Sequence, residues 1–128
     1  MKWRFVVVDI VGKALDEAGV VGLERVLYRD FARQIVQLAR RGYATVRVRR
    51  MPRYALERIL QRLERRGFDV GKVNVVATGR DGMYTMYAVI RDYWQLRAWY
   101  AGTHGLRPEI LDAIAEALNK AGTIHIIF

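Results

Sequence analysis

Residues 73–91, VNVVATGRDGMYTMYAVIR, decide the fold. Two runs rich in Val, Thr, Tyr and Met flank Gly79-Arg80-Asp81-Gly82, and an Asp-Gly pair between such runs is a strong short-range hairpin signal. The stretch predicts two antiparallel strands, Val73–Thr78 and residues 83–91, joined by a tight loop. The remaining elements must then pack on this hairpin or extend it.

Upstream, period-2 alternation over residues 43–50 puts Ala44, Val46 and Val48 on one face and Tyr43, Thr45, Arg47 and Arg49 on the other, which predicts a third strand with an aliphatic core face. Leu23–Arg41 has the spacing of a helix ended by Gly42. Residues 52–66 open on Pro52 as a first helical residue and carry the stripe Leu56, Ile59, Leu60 and Leu63. They stop at Gly67, with Phe68 as the apolar follower of a Schellman cap. Residues 3–11 read as a strand, and residues 12–22 as a loop or short helix.

Downstream, Asp92 caps a helix through Tyr100, and Pro108 opens another with Ile110, Leu111, Ile114 and Leu118 as core positions. Gly122 closes that helix, and the apolar residues 123–128 read as a last strand. The expected order is β-α-β-α-β-β-α-α-β. It implies an α+β fold with a mixed or antiparallel four- to five-stranded sheet and helices mainly on one face.

The 128 residues suit one domain, residues 1–128, and 52% hydrophobic content is too high for a disordered chain. There is no cysteine and no serine, which removes disulfides, thiolate chemistry and the Ser-His-Asp arrangement. His104 and His125 are too few for a zinc site, no phosphate-binding loop is present, and no cofactor is expected. No apolar run approaches a membrane span and no signal peptide is evident, so a cytoplasmic location is the expectation, with no membrane partner. Eighteen arginines against four lysines, with only six Asn and Gln, fit a thermophilic host or equally a GC-rich genome.

The net charge of +9 is concentrated: residues 40–66 hold ten basic and two acidic side chains, and so carry eight of the nine charges. A local field of one sign favours a polyanion, and nucleic acid is the expected partner. On the helix, Tyr54, Arg58, Gln61, Arg62 and Arg65 lie opposite the leucine stripe as an exposed basic strip. On the strand, Arg47 and Arg49 face outward with Tyr43, and Tyr87 and Arg91 of residues 83–91 are expected to share that surface. Arg50 and Arg53 belong to the same candidate set, and Trp94 is the aromatic that falls outside the buried stripe Tyr93, Leu96, Trp99 and Tyr100. Aromatic rings stack on unpaired bases while arginines hold phosphates, so a face of this kind suits single-stranded nucleic acid, with DNA favoured.

The reading is non-enzymatic and largely sequence-independent. Its competitors are a protein-interaction or structural subunit of a nucleoprotein particle, and a metal-dependent nuclease using Asp9 at the end of the first strand. The size, the basicity, the arginine and aromatic residues of 43–50 and 83–91, and the mixed order of elements resemble the ThermoDBP-related single-stranded DNA-binding proteins of hyperthermophilic archaea. That resemblance implies a sheet-and-helix fold unlike an OB barrel, sequence-tolerant binding and assembly into oligomers. The apolar residues 123–128, as an edge strand needing cover, point the same way, to a homo-oligomer.

Overall fold

The structure, a computed structural model, describes the backbone of residues 2–126 and the side chains of residues 7–126. It is α+β, with helices α1 (Lys2–Glu17), α2 (Leu23–Arg41), α3 (Arg53–Arg65), α4 (Tyr93–His104) and α5 (Pro108–Lys120). Its antiparallel sheet of β1 (Ala44–Pro52), β2 (Val73–Thr78) and β3 (Met83–Ile90) has the spatial order β1-β3-β2. The hairpin closes on Thr78 opposite Met83, with Gly79-Arg80-Asp81-Gly82 as the four-residue loop. Among the described residues no helix is long and apolar enough to cross a membrane.

Among the described residues the sheet has three strands rather than four or five, because neither terminal strand of the expected order forms there. Residues 3–11 lie in helix α1. Val11 and Leu15 are buried and Val7, Ile10 and Ala14 are partly buried, a 3.6-residue pattern that packs on α5 and α2. Burying one such side chain gains roughly 1.5–3 kcal/mol, against a helix-propensity cost for valine of about half a kcal/mol, so tertiary packing overrides the β-branched run. Residues 123–126 form no strand, while 127 and 128 lie outside the described residues. The Asn119 amide donates to the Ile126 carbonyl at 2.9 Å and accepts from its N–H at 3.0 Å, supplying the backbone partner that a neighbouring strand would have given.

Other expectations hold with small shifts. At the end of α3 the Phe68 N–H bonds to the Leu63 carbonyl and the Gly67 N–H to that of Glu64, a Schellman cap with Gly67 at φ 86°. Asp92 caps α4 by accepting from the Gln95 N–H at 3.0 Å, and the helix runs on to His104, beyond Tyr100. Pro52 ends β1 and precedes α3 in extended conformation, instead of being the first helical residue. The reason is a β-bulge: Val48 pairs with Met86 and Met51 with Tyr84, so Arg49 and Arg50 together oppose Thr85. The extra residue returns Met51 to the core face, where it is buried, and puts Arg50 at φ 51°.

Helices α2 and α3 cover one face of the sheet, where Ala44, Val46, Met86, Ala88 and Ile90 are buried, and α4 packs against both helices. The α3–α4 crossing is close. A Cβ at Gly102 would stand 2.8 Å from Leu63 Cδ2 and 3.0 Å from Leu63 Cα. A clasp ties α4 to α5: Arg97 makes two hydrogen bonds to Asp112, at 2.8 and 2.9 Å, and the Tyr93 hydroxyl donates to the same carboxylate at 2.6 Å. Burial alone would raise the Asp112 pKa, but these donors outweigh it and hold it below the usual carboxylate value.

Candidate nucleic-acid interface

The sheet face opposite the helices is largely open, although Thr85, on this face beside the bulge, is buried. Along β1 the outward residues are Thr45, Arg47 and Arg49, and along β3 Tyr87 and Val89 are exposed. Register converts this alternation into geometry. Arg47 stands directly opposite Tyr87, and Tyr87 directly opposite Asn74 of β2, so a cation, an aromatic ring and an amide form one row across three strands. Strands lie about 4.8 Å apart, which keeps the three groups within reach of one extended ligand.

Toward one end of this face Tyr43 and Arg91 meet, with the Arg91 guanidinium 5.9 Å and that of Arg41 4.3 Å from the Tyr43 ring. The arginines cover the half-buried ring, so Tyr43 serves them as a platform more than it offers a free stacking surface. At the other end the bulge carries Arg49 and Arg50, and Arg50 is paired with Asp81 of the hairpin loop at 3.5 Å. Of the residues expected to share one surface, the register pairs Arg47 with Tyr87; Arg49 lies in the adjoining bulge, and Tyr43 and Arg91 lie just beyond the paired strands.

The helical half of the candidate set lies elsewhere. Because α3 packs on the covered face, Tyr54, Arg58 and Arg65 point away from Arg47 and Tyr87. Arg53 pairs with Glu57 at 3.2 Å. Arg62 is not in an exposed strip: it is half-buried, one guanidinium nitrogen reaches the Thr103 carbonyl at 3.5 Å, and its Nε is buried without a partner. The displacement follows from the close α3–α4 approach, which turns this flank of the helix inward. Trp94 is 51% exposed, as expected, but it lies at the start of α4, not on a strand of the open face, with Arg97 5.2 Å from its ring.

Where the open face meets the edge of β1 there is a polar cleft of about 590 Å³, lined among others by Asp30 and Arg33 of α2, Arg47, Tyr87, and Tyr100 and His104 of α4. Asp30 accepts from the Tyr100 hydroxyl at 2.6 Å and from Arg33 at 3.5 Å. Burial and the adjacent carboxylate push the Tyr100 pKa upward, so this hydroxyl stays a donor. Part of His104 remains open to solvent, yet desolvation of its ring lowers its pKa, with Arg62 acting in the same direction and Asp30 opposing.

Sequence reasoning missed Asn74 and this cleft. Asn74 could have been found by counting back from the hairpin loop, since Thr78 opposite Met83 places Asn74 opposite Tyr87. The cleft had no such signal, because it exists only once α2 and α4 have docked beside β1. Asp9, read as the end of a strand, is exposed on α1, and among the described residues no group of three His, Cys, Asp or Glu comes together as a metal site. Comparison with known protein families, with curated proteins and with solved structures finds no match to this chain.

Proposed function

We propose that this protein binds single-stranded nucleic acid, DNA in preference, on the open face of its sheet and does no chemistry on it. The observation that carries the reading is the row Arg47–Tyr87–Asn74. It offers a phosphate contact, a ring for a base to stack on and an amide for a base edge, in the order an extended strand would meet them. Arg91 at one end and Arg49 at the other extend the basic track, and the cleft beside Arg47 gives room for a base turned out of the strand. The likeness to the ThermoDBP-related proteins rests on these same strands and belongs to the proposal.

The test is anisotropy of a labelled oligothymidine across a salt series. The expected result is binding that weakens linearly with log salt, with a slope that falls by about one unit in Arg47→Ala. No binding at low salt, or a slope unchanged by that substitution, rejects the reading.

A further inference from the structure

The polar cleft beside Arg47 sets one carboxylate among donors. Asp30, Arg33 and Gln34 of α2 line it together with Arg47 and the Tyr87 ring. Its volume of about 590 Å³ falls within the range of small-ligand sites, about 300–1,000 Å³.

The hydrogen bonds inside the cleft leave capacity over. Asp30 Oδ2 accepts from the Tyr100 hydroxyl at 2.6 Å, whereas Oδ1 meets only Arg33 among the described residues, at 3.5 Å. A carboxylate oxygen can accept two hydrogen bonds, so each has a place left, and the Asp30 side chain is 41% exposed. The pair with Arg33 is exposed and weak, which leaves that guanidinium free to turn to a ligand. Asp30 and Arg33 lie one helical turn apart, so an anionic acceptor stands beside a forked donor.

That order selects among ligands. A phosphate in the cleft would meet the Asp30 carboxylate, and desolvation holds the His104 ring neutral at pH 7, so it adds no compensating charge. A neutral base with donors is the better fit. Of the four DNA bases, only guanine presents two adjacent donors, N1–H and the N2 amino group, with the acceptors O6 and N7 next to them. Adenine and cytosine each set one amino group beside a ring acceptor, and thymine sets N3–H between two carbonyls. Lone pairs turned toward a carboxylate are repelled, and polar atoms left unpaired in a closed site weaken binding.

We infer that the cleft takes a guanine base of the bound strand, with N1–H and the N2 amino group donating to Asp30, O6 and N7 accepting from Arg33, and Tyr87 against the ring. The inference rests on the open face binding a single strand, and adds to that a preference for one base at one position. An arginine fork on O6 and N7 is a favoured guanine contact.

The test is anisotropy of a labelled oligothymidine in which one central position is varied. With dG there, binding is expected to tighten about tenfold over dT, with dA and dC close to dT. Deoxyinosine, which lacks only the N2 amino group of dG, should lose most of that gain. In Asp30→Asn the dG and dT oligonucleotides should bind alike. No preference for dG, equal binding of dG and deoxyinosine, or a preference that survives in folded Asp30→Asn overturns the guanine site. The deoxyinosine comparison uses the wild-type chain, so it decides even where the variant does not fold. Uniform binding of every oligonucleotide overturns the guanine site alone, whereas no binding of any of them overturns the open-face reading with it.

Discussion

The two arginine-bearing surfaces come from adjacent stretches of chain and differ in their neighbours. On α3 the ion-pair partner is local, since Arg53 meets Glu57 one turn away, while Arg62 is drawn off the basic strip against Thr103 of α4. On β1 the neighbour comes from far along the sequence, since Arg47 faces Tyr87 across the ladder. A helix repeats its own composition on its surface, so a basic helix gives a basic strip and little else. A sheet juxtaposes distant residues, and so can put a cation beside an aromatic ring. Charge density along the chain therefore locates a field, whereas strand register locates a binding chemistry.

The largest expected effect breaks this comparison directly. Arg47→Ala with Tyr87→Ala should weaken oligothymidine binding by about tenfold or more, from loss of a stacking ring worth roughly 1–3 kcal/mol and a phosphate contact. Arg58→Ala with Arg65→Ala should cost only a few-fold at the same salt, in proportion to the charge removed. A larger loss from the helix pair, in the same anisotropy titration, would reverse the roles of the two surfaces.

Next is the junction that sets α3 apart. Gly102→Ala normally gains about 1 kcal/mol in a helix, but here the new methyl meets Leu63 side chain and backbone. Overpacking of this kind costs roughly 1–3 kcal/mol, so a net loss of stability is expected in urea melts, with sheet-face binding retained while the protein is folded.

His104 lies between the regions, influenced by Arg62 of α3 and Asp30 beside the cleft. Its folded-state pKa is below the ordinary 6.5, so in the window between the two values the unfolded chain holds more protons. Stability should therefore fall as pH drops through that window, and His104→Gln should flatten this part of a melting-temperature profile. Asp112, with its lowered pKa, acts at more acidic pH, where its contribution is lost as the carboxyl is protonated.

The smallest effect is at the bulge. Arg50→Gly relieves a left-handed conformation costing about 1–2 kcal/mol, and this is offset by a looser unfolded chain and loss of the exposed pair with Asp81. Melting should barely move, and because Arg50 is already paired, the salt slope of binding should stay as in wild type.

The sequence was most legible where local rules suffice. The hairpin, α2, α5 and the caps at Gly67 and Asp92 follow from turn and capping chemistry within a few residues. Helix α1 was misread because residues 3–11 show a β-branched run, whereas its helical period, Val7–Val11–Leu15, appears only when the window extends past Gly12. The last strand failed for a similar reason: residues 123–128 have β-branched composition, but the Ile126 backbone is served by a side chain. On the candidate face, alternation was enough to place Arg47 and Tyr87 outward. The inward turn of Arg62 and the cleft at Asp30 and His104 depend on helix docking, which no local pattern encodes.

The ladder that aligns Arg47, Tyr87 and Asn74 also has a thermodynamic consequence for recognition. Their backbones are fixed by strand pairing when the chain folds, so a ligand arriving on this face has only side-chain rotamers left to order. Association should then carry little of the entropy loss of coupled folding. Its heat-capacity change should be small, reflecting the few apolar atoms that a stacked base covers.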